Sequence, residues 1–340
     1  MRSTLFSLLC SLSLATSPAL AAAAAQRAPP PAVAGAEEAA GEHIALWPAG
    51  QVPGESGPAR GLHVVERSAD LARPDRYVDQ IDAPWLVVHA PPQPNGKALL
   101  VIPGGGYQRV VIDKEGTALV PQWVERAGYT LFVLRYRLPE TGRDRQAALA
   151  DAQRAMRVVR AAAARRGLDV EDIAVMGFSA GGHVAARLAT GFDTPVYPPA
   201  DAADRLSARP SRAVLVYPVI DMGPHAHSGS RLRLIGDPAD AALVGRYSMQ
   251  DQVRADMPPT LLLHAADDRV VSVDNSLLMA RALAAAGVEH ELHVFAHGGH
   301  GFGMRAPADS TTALWPDIAQ RWLRAQTQTQ TQTQTPEGHP

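Results

Sequence analysis

The sequence predicts an α/β fold in which a mostly parallel sheet carries helices on both faces. Two observations support this prediction. Short β-rich runs alternate with helical patterns between Trp47 and Leu323, and such alternation is typical of parallel strands joined by crossover helices. The chain has 340 residues, of which 46% are hydrophobic, so it is long enough to bury one large core. We therefore expect a single large α/β domain.

Seven runs have the composition of strands, and four have the apolar spacing of helices. The predicted strands are residues 85–89, 98–102, 130–136, 173–176, 213–217, 260–264 and 291–295. The predicted helices are residues 145–165, 180–190, 273–286 and 315–325. In parallel sheets of this kind, ligands bind at the carboxyl ends of the strands. Functional residues are therefore expected in the loops that follow the strands.

The N-terminal region differs from this alternating region. Residues 1–21 combine a basic Arg2, an apolar run over residues 5–14 and a small-x-small ending at residues 19–21. This pattern predicts a secretory signal peptide and a periplasmic or secreted protein. Residues 22–41 are rich in Ala, Pro and Gly, so we expect a flexible leader.

The C-terminal segment, residues 326–340, begins with alternating Gln and Thr. It has no apolar face that could drive packing, and it is therefore predicted to be a disordered tail. The catalytic domain is expected in the remaining residues, 42–325.

Composition excludes several classes of partner. The formal net charge is −2, with Lys and Arg scattered along the chain, so nucleic acid is not an expected ligand. The signal segment is too short to span a membrane stably, and no membrane association is expected. The single cysteine, Cys10, lies in that segment. The processed chain is therefore expected to lack a thiolate nucleophile and disulfides.

Residues 177–182 read GFSAGG, at the end of one predicted strand and the start of a predicted helix. This is a G-x-S-x-G pattern in a strand-turn-helix context, which favours Ser179 as a nucleophile over a structural turn. Gly177 and Gly181 are expected there because the sharp turn brings neighbouring backbones close together. The first amides of the helix, that of Ala180 foremost, would face negative charge that forms on a bound carbonyl.

The acid of a catalytic triad is sought in loops that follow later strands. Asp267 and Asp268 follow the strand over residues 260–264. Asp268 is favoured, because it lies at the far edge of the loop, whereas Asp267 is expected to cap or turn the loop. Asp221, after the strand over residues 213–217, stays a third candidate.

The base is sought after the last strand, where the sequence reads AHGGHGF over residues 296–302. His300 is favoured because two glycines give its loop freedom and Phe302 can anchor it. His297 is expected to be structural. His183, one turn into the helix after Ser179, is expected to be a core residue with its hydrogen bonds satisfied.

A glycine run, Pro103-Gly104-Gly105-Gly106-Tyr107, follows the strand over residues 98–102. Consecutive glycines let two backbone N–H groups point at one oxygen, which is what an oxyanion hole requires. A hairpin tip or a phosphate loop are the alternatives, but the Lys and Ser or Thr of a phosphate loop do not follow. The proximity of Ser179 in the predicted sheet favours acyl transfer.

The chain resembles the α/β-hydrolase esterases akin to hormone-sensitive lipase and feruloyl esterase, and in particular secreted bacterial acetyl esterases often labelled acetyl xylan esterase. The stretches that carry the resemblance are PGGGY (103–107), KEG (114–116), RYRLP (135–139), GFSAGGH (177–183), YPVI (217–220), HAADDRVVSVDNS (264–276) and GGHGFG (298–303). The family pattern implies a triad of Ser179, Asp268 and His300. It also implies oxyanion donors at Gly105, Gly106 and Ala180. Three positions depart from the pattern, namely Pro103, Ala265 and Ser272.

The resemblance implies a serine esterase that removes acetyl groups from plant polysaccharide or oligosaccharide. No cofactor is required, and an acetylated carbohydrate is the expected partner, with no protein partner predicted. The alternatives are a serine peptidase of the prolyl-oligopeptidase type and a non-catalytic carbohydrate-binding homologue. The peptidase class usually has a large extra domain, for which this chain has no room. The intact triad argues against the non-catalytic alternative.

Several polar residues have structural interpretations. Lys114 and Glu115 are expected to form an ion pair that caps the next helix, and Asp151 is expected to pair with a nearby Arg. His225 and His227 form an H-x-H pattern without an evident third ligand, so a metal site is not predicted. They lie between residues 217 and 260, where this fold usually builds its lid, so a role facing the substrate stays open.

Overall fold

The structure is a computed structural model, and it describes residues 41–55, 62–139 and 144–333, with side chains up to residue 325. The predicted signal peptide, residues 1–21, lies outside the described residues, as do all but the last residue of the predicted leader. The end of the predicted tail, residues 334–340, also lies outside them.

Eleven strands occur in the part of the chain that the structure describes. In chain order they are β1 (Glu42–Ala45), β2 (Val64–Glu66), β3 (Arg76–Val78), β4 (Trp85–His89), β5 (Ala98–Ile102), β6 (Val110–Val111), β7 (Thr130–Arg135), β8 (Ile173–Phe178), β9 (Ala213–Val216), β10 (Thr260–Ala265) and β11 (His290–Phe295). Eight of them form one sheet in the order β1-β4-β7-β5-β8-β9-β10-β11. The strands from β7 to β11 in this order pair in parallel, whereas β1 and β4 are antiparallel to their neighbours. The prediction of a mostly parallel sheet is confirmed.

Six α-helices accompany the strands within the same described ranges. They are α1 (Ala147–Arg165), α2 (Ser179–Thr190), α3 (Ser228–Ile235), α4 (Ala241–Tyr247), α5 (Asp274–Ala285) and α6 (Trp315–Thr333). A π-helix also spans Val120–Arg126. Among the helices that are described, none combines the length and the apolar character that a membrane span requires.

Alternate residues of the central strands supply two separate apolar cores, one on each face of the sheet. On β5, Leu100 and Ile102 pack in one core, whereas Leu99 and Val101 pack in the other. Side chains of α1, α2 and α5 complete the first core, and those of the π-helix and α6 complete the second. All five side chains of β5 are almost completely buried. This explains why its sequence is continuously apolar and not alternating.

The short elements are the ones that the sequence pattern does not predict. β2, β3 and β6 form a separate antiparallel sheet of two- and three-residue strands, too short to show a period. β1 is a mostly exposed edge strand and has no apolar run. The lid segment contains two helices, α3 and α4, where none was predicted.

α6 continues into the segment that was predicted to be a disordered tail. Its backbone is helical to Thr333, beyond the predicted boundary at Gln326. Extending an existing helix adds one hydrogen bond for each residue fixed, and Gln is a good helix former, so a packed helix can propagate into a polar sequence. Lack of an apolar face is therefore a poor guide to where a helix ends.

A buried ion pair links the segment after β7 to α1. Asp151 accepts hydrogen bonds from the backbone N–H of Arg137 at 2.9 Å and from the guanidinium of Arg137 at 2.8 Å. It also accepts from the indole N–H of Trp47 at 2.9 Å. Both charged side chains are at most 1% exposed. The prediction that Asp151 pairs with a nearby Arg is confirmed.

We expect Asp151→Ala to lower the free energy of unfolding by about 3–5 kcal/mol, because the buried Arg137 would keep only the more distant carboxylate of Glu55, at 3.5 Å, as a counter-charge. Unfolding in urea, followed by tryptophan fluorescence, measures this loss. The matched control is Asp193→Ala, which removes one of the two carboxylates that pair with Arg254 at the surface, where the Asp193 side chain is 55% exposed. That change should cost less than about 1 kcal/mol. Equal losses in the two variants would contradict this assignment.

Candidate active site

Ser179 lies on a tight turn between β8 and α2. Its φ is +51°, in the left-handed region that residues with a side chain seldom adopt. A side chain on Gly181 would collide with the carbonyl oxygens of Ile102 and Pro103, so only glycine lets the first turn of α2 pack against the end of β5. The predicted strand-turn-helix around Ser179 is therefore present, with α2 beginning at the serine itself.

Three side chains that come from different strand ends form one line of hydrogen bonds. The Oγ atom of Ser179 lies 2.9 Å from Nε2 of His300. The Nδ1 atom of His300 lies 2.7 Å from Oδ2 of Asp268. Asp268 follows β10 and His300 follows β11. The parallel sheet thus brings His300 into contact with Ser179, 121 positions earlier in the sequence.

Asp268 is held as a buried carboxylate. Its Oδ1 accepts hydrogen bonds from the backbone N–H groups of Val270 and Val271, each at 2.9 Å. Its Oδ2 faces His300 and also lies 3.3 Å from Nε2 of His264. Burial alone would raise the pKa of Asp268, but the hydrogen bonds with His264 and His300 hold that pKa well below its usual range. The carboxylate is therefore ionised wherever the protein is folded near neutral pH.

The other two aspartates considered for the acid have different partners. Asp267 accepts a hydrogen bond from the backbone N–H of Gly299 at 2.8 Å and so turns the loop that carries His300. Asp221 is buried and accepts from the backbone N–H of His225 and from the amide of Gln250, each at 2.8 Å. The geometry therefore aligns Asp268 alone of these three with the imidazole.

The glycine run after β5 lies beside the serine. Gly105 and Gly106 both have positive φ, at +138° and +66°, and both line the cavity that contains Ser179 and His300. Neither backbone N–H forms a hydrogen bond within the described part of the chain. The N–H of Ala180 belongs to the first turn of α2, whose amides have no intrahelical acceptor. The three predicted oxyanion donors are thus N–H groups left without a helix or sheet partner.

Glu115 braces this loop, and the prediction that it pairs with Lys114 to cap a helix is wrong. Its Oε2 accepts a hydrogen bond from the backbone N–H of Gly104 at 2.8 Å, and its Oε1 accepts from the hydroxyl of Tyr217 at 3.0 Å. The same hydroxyl accepts from the N–H of Gly303 at 3.1 Å. The Glu115 side chain is only 2% exposed. One buried carboxylate therefore connects the glycine loop to the loop that carries His300.

Two further histidines contrast with each other. His183 is completely buried, as predicted. Its Nδ1 accepts from the hydroxyl of Tyr107 at 2.7 Å, and its Nε2 donates to the carbonyl of Tyr247 at 2.8 Å. Burial lowers its pKa to about 3, so the ring is neutral. His297 was predicted to be structural, but its side chain is 88% exposed, near Asp267.

The H-x-H pattern falls at the edge of the cavity. Ser230 holds Nδ1 of His227 as an acceptor, since the backbone N–H of Ser230 donates to it at 3.2 Å. The neutral ring therefore carries its proton on Nε2, and His227 lines the cavity. His225 instead lies 3.2 Å from Asp274. Among the described residues, no group of three or more metal-ligating side chains is assembled.

The cavity above these groups has a volume of about 340 Å³, which is at the small end of ligand pockets. Four of the residues that line it are cationic, and apolar groups such as Val111 and Val270 also face it. The residues that line it are Arg67, Gly105, Gly106, Gln108, Arg109, Val111, Lys114, Glu115, Ser179, His227, Gly229, Arg233, Val270 and His300. Sequence reasoning identified the catalytic candidates but not this group of four cationic side chains, because Arg67, the stretch from Arg109 to Lys114, and Arg233 are far apart in the sequence.

Comparison with known proteins identifies relatives among esterases and xylan-degrading enzymes. The family model BD-FAE matches residues 91–283. An acetylxylan esterase of Xylanibacter ruminicola is 34% identical over 245 residues, which cover 71% of this chain and 48% of that protein. An endo-1,4-beta-xylanase B of Butyrivibrio fibrisolvens is 36% identical over 206 residues, which cover 60% of this chain and 32% of that protein. The chain thus spans about half and about a third of the lengths of these two relatives.

Among solved structures, the fold matches an acetyl ester-xyloside bifunctional hydrolase from Caldicellulosiruptor lactoaceticus. The TM-score is 0.66 and the identity is 34%, over 84% of this chain and 96% of that one. A second match is an esterase of Thermogutta terrifontis, with a TM-score of 0.57 and 25% identity over 72% of this chain and 91% of that one. These matches cover most of the described region.

The lowered pKa of Asp268 predicts how its contribution to stability depends on pH. A carboxylate whose pKa is lower in the folded state stabilises the fold fully above its ordinary pKa, and loses that contribution as pH falls below it. The difference in free energy of unfolding between the wild type and Asp268→Asn should therefore narrow as pH falls below the ordinary value of 3.8. Urea unfolding from pH 6 to pH 3 measures it. A difference that widens on acidification would contradict this account.

Proposed function

The chain belongs to the BD-FAE family of α/β-hydrolases, and we propose that it is a serine esterase that removes acetyl groups from xylan or related plant polysaccharide and oligosaccharide. The observation that carries this proposal is the line of hydrogen bonds from Ser179 through His300 to Asp268 beside unpaired backbone amides. That arrangement fits nucleophilic acyl transfer. The named activities of the acetylxylan esterase and the acetyl ester-xyloside hydrolase support the choice of acyl group and alcohol.

In the first half of the reaction, Oγ of Ser179 forms a bond to the carbonyl carbon of the acetyl ester. The hydroxyl proton moves to Nε2 of His300, which lies 2.9 Å away. Asp268 holds the imidazole by its Nδ1–H and stabilises the positive charge that develops on the ring. The buried, ionised state of Asp268 is what makes it suited to this role.

The carbonyl oxygen becomes an oxyanion in the tetrahedral intermediate. We assign its stabilisation to the N–H groups of Gly105, Gly106 and Ala180, because donors fixed in advance cost no reorganisation during the reaction. Glu115 fixes the glycine loop through the N–H of Gly104. It is therefore a positioning residue and does not contact the substrate oxygen in this mechanism.

Collapse of the intermediate breaks the bond between the carbonyl carbon and the sugar oxygen. The departing oxygen takes the proton from Nε2 of His300, and an acetyl group remains on Ser179. Water then gives its proton to the same nitrogen and attacks the acyl carbon, which releases acetate and restores the serine hydroxyl. Every proton in this cycle passes through His300, and the chain's own residues suffice for each step.

Plant polysaccharide lies outside the cell that secretes the enzyme, so the proposal agrees with the secretory signal that residues 1–21 predict. Export to the periplasm or the medium is part of the proposed function. This is tested by expressing the protein in a secreting host and sequencing its N-terminus. Removal of the predicted signal peptide would appear as an N-terminus that starts later than the encoded sequence.

The triad can be tested by release of p-nitrophenol from its acetate ester. Ser179→Ala should abolish turnover, because Ser179 carries the only hydroxyl or thiol among the described residues that line the cavity. Asp268→Asn should lower kcat by roughly 10⁴-fold, since an amide can force the imidazole into the wrong tautomer. Circular dichroism and urea unfolding establish that each variant is folded.

The matched controls for the acid are Asp267→Asn and Asp221→Asn. We expect both to retain far more activity than Asp268→Asn, because neither carboxylate is bonded to His300. A larger loss at Asp267 or at Asp221 would move the acid to that residue.

The size of the cavity predicts a preference for short acyl chains. A pocket of about 340 Å³ is small, and a pocket that fits a short acyl group excludes longer ones sterically. We expect kcat/KM to fall at least roughly tenfold from acetyl to butyryl and further to octanoyl p-nitrophenyl esters. Efficiency that stays level or rises with chain length would contradict this and favour a lipase.

A further inference from the structure

The cavity beside Ser179 concentrates positive charge in a chain whose formal net charge is −2. Its cationic side chains are those of Arg67, Arg109, Lys114 and Arg233. Arg67 is paired with Asp75 at 2.8 Å. As far as the described residues extend, the other three form no ion pair and no side-chain hydrogen bond. Cations that face one small cavity raise the local concentration of anions there.

Arg109 is held in a fixed orientation with its hydrogen-bond donors free. Its guanidinium carbon lies 4.9 Å from the centre of the Tyr77 ring, in a cation–π contact. Its backbone N–H donates to the carbonyl of Gly105 at 3.3 Å, so it is tied to the glycine loop. A stacked guanidinium presents a planar set of N–H groups that matches the two oxygens of a carboxylate.

Lys114 places a second cation beside the catalytic base. Its carbonyl accepts a hydrogen bond from the backbone N–H of Met304 at 3.2 Å. Its Nζ lies 2.9 Å from the point where a Cβ on Gly301 would stand, so the ammonium adjoins the turn immediately after His300. The neighbouring Glu115 carboxylate is bonded to other groups. Lys114 is therefore left without a bonded acceptor at the cavity wall.

We propose that this cavity binds an acetylated sugar that carries a carboxylate, namely an acetylated uronic acid unit, with Arg109 and Lys114 as the groups that bind the carboxylate. This inference rests on the proposed esterase function, which supplies the acetyl ester and the polysaccharide. Plant polysaccharides carry their negative charge as uronic acid carboxylates. A half-buried cation without a counter-charge is costly, and a bound carboxylate offsets that cost with charge-assisted hydrogen bonds. Arg233, exposed on α3, adds to the field at the entrance.

The test compares two substrates, acetylated methyl glucuronoside and acetylated methyl glucoside. The first carries a carboxylate where the second carries a hydroxymethyl group. We expect kcat/KM for the uronoside to exceed that for the glucoside at low ionic strength. The ratio should fall as NaCl is raised from 0.02 to 0.5 M, because salt screens partly exposed charges. A ratio of one or below at low salt would overturn the proposal.

Single substitutions assign the preference to named residues. Lys114→Gln and Arg109→Gln should each lower the ratio of the two kcat/KM values by roughly threefold to tenfold, since each removes one charge-assisted hydrogen bond. The matched control is Arg281→Gln, which removes an exposed charge from α5, outside the cavity. The ratio should stay at the wild-type value in that variant. An equal drop in the control would show a general charge effect and would contradict the assignment.

A binding measurement separates this inference from the esterase function. The Ser179→Ala protein is titrated with the same two acetylated glycosides and with glucose 6-phosphate, followed by ligand-observed NMR. Tighter binding of the uronoside than of the glucoside supports the inference even where no turnover is found. Tighter binding of the sugar phosphate than of the uronoside would overturn the choice of carboxylate. If p-nitrophenyl acetate is hydrolysed but the two glycosides bind equally, the esterase function stands and this inference fails.

Discussion

The close approach of β5 to the first turn of α2 is the constraint on which the active centre depends. The carbonyl oxygens of Ile102 and Pro103 leave no room for a side chain on Gly181, so the helix packs directly against the strand end. That contact places the glycine loop beside Ser179, whose φ is positive. Asp268 and His300 follow β10 and β11, which lie two and three strands from β8 in the sheet. They can meet the serine only because the parallel strands all end at one edge.

The polar side chains of Glu115 and Tyr217, behind the site, are buried but have hydrogen-bond partners. The hydroxyl of Tyr217 donates a hydrogen bond to Glu115. Glu115 also accepts from the backbone N–H of Gly104, and the Tyr217 hydroxyl accepts from that of Gly303. Such a network is stable because every member has a partner, and loss of one partner leaves the others buried and unsatisfied. The aromatic ring of Tyr217 also packs edge-on against His300, with ring centres 5.1 Å apart. Tyr217 thus supports His300 by packing and is linked to the glycine loop by its hydrogen bond with Glu115.

The large sheet and the three aligned side chains can be predicted from the sequence. The short strands and the hydrogen-bond partners of Glu115 cannot, for physical reasons. The sequence predicts seven of the eight strands of the large sheet. The central strands are recognised because strands buried on both faces are continuous apolar runs. It misses β1 and the three-stranded sheet, whose strands are short and patternless. Motif and chain order select Ser179, Asp268 and His300, and the structure places their side chains in one line of hydrogen bonds. The partners of Glu115 are missed because Tyr217 is 102 residues away, and local reasoning favours its neighbour Lys114.

The link that Glu115 forms between two loops limits which loops can be exchanged between members of the family. The glycine loop and the loop of the base are encoded almost 200 residues apart, yet they share one bonded pair of side chains, Glu115 and Tyr217. A chimaera that takes either loop from a relative without that pair would carry a correct motif on an unsupported backbone. The unit that can be exchanged is therefore the two loops together with Glu115 and Tyr217, which connect them. Recombination breakpoints that separate these four segments should be the ones least tolerated.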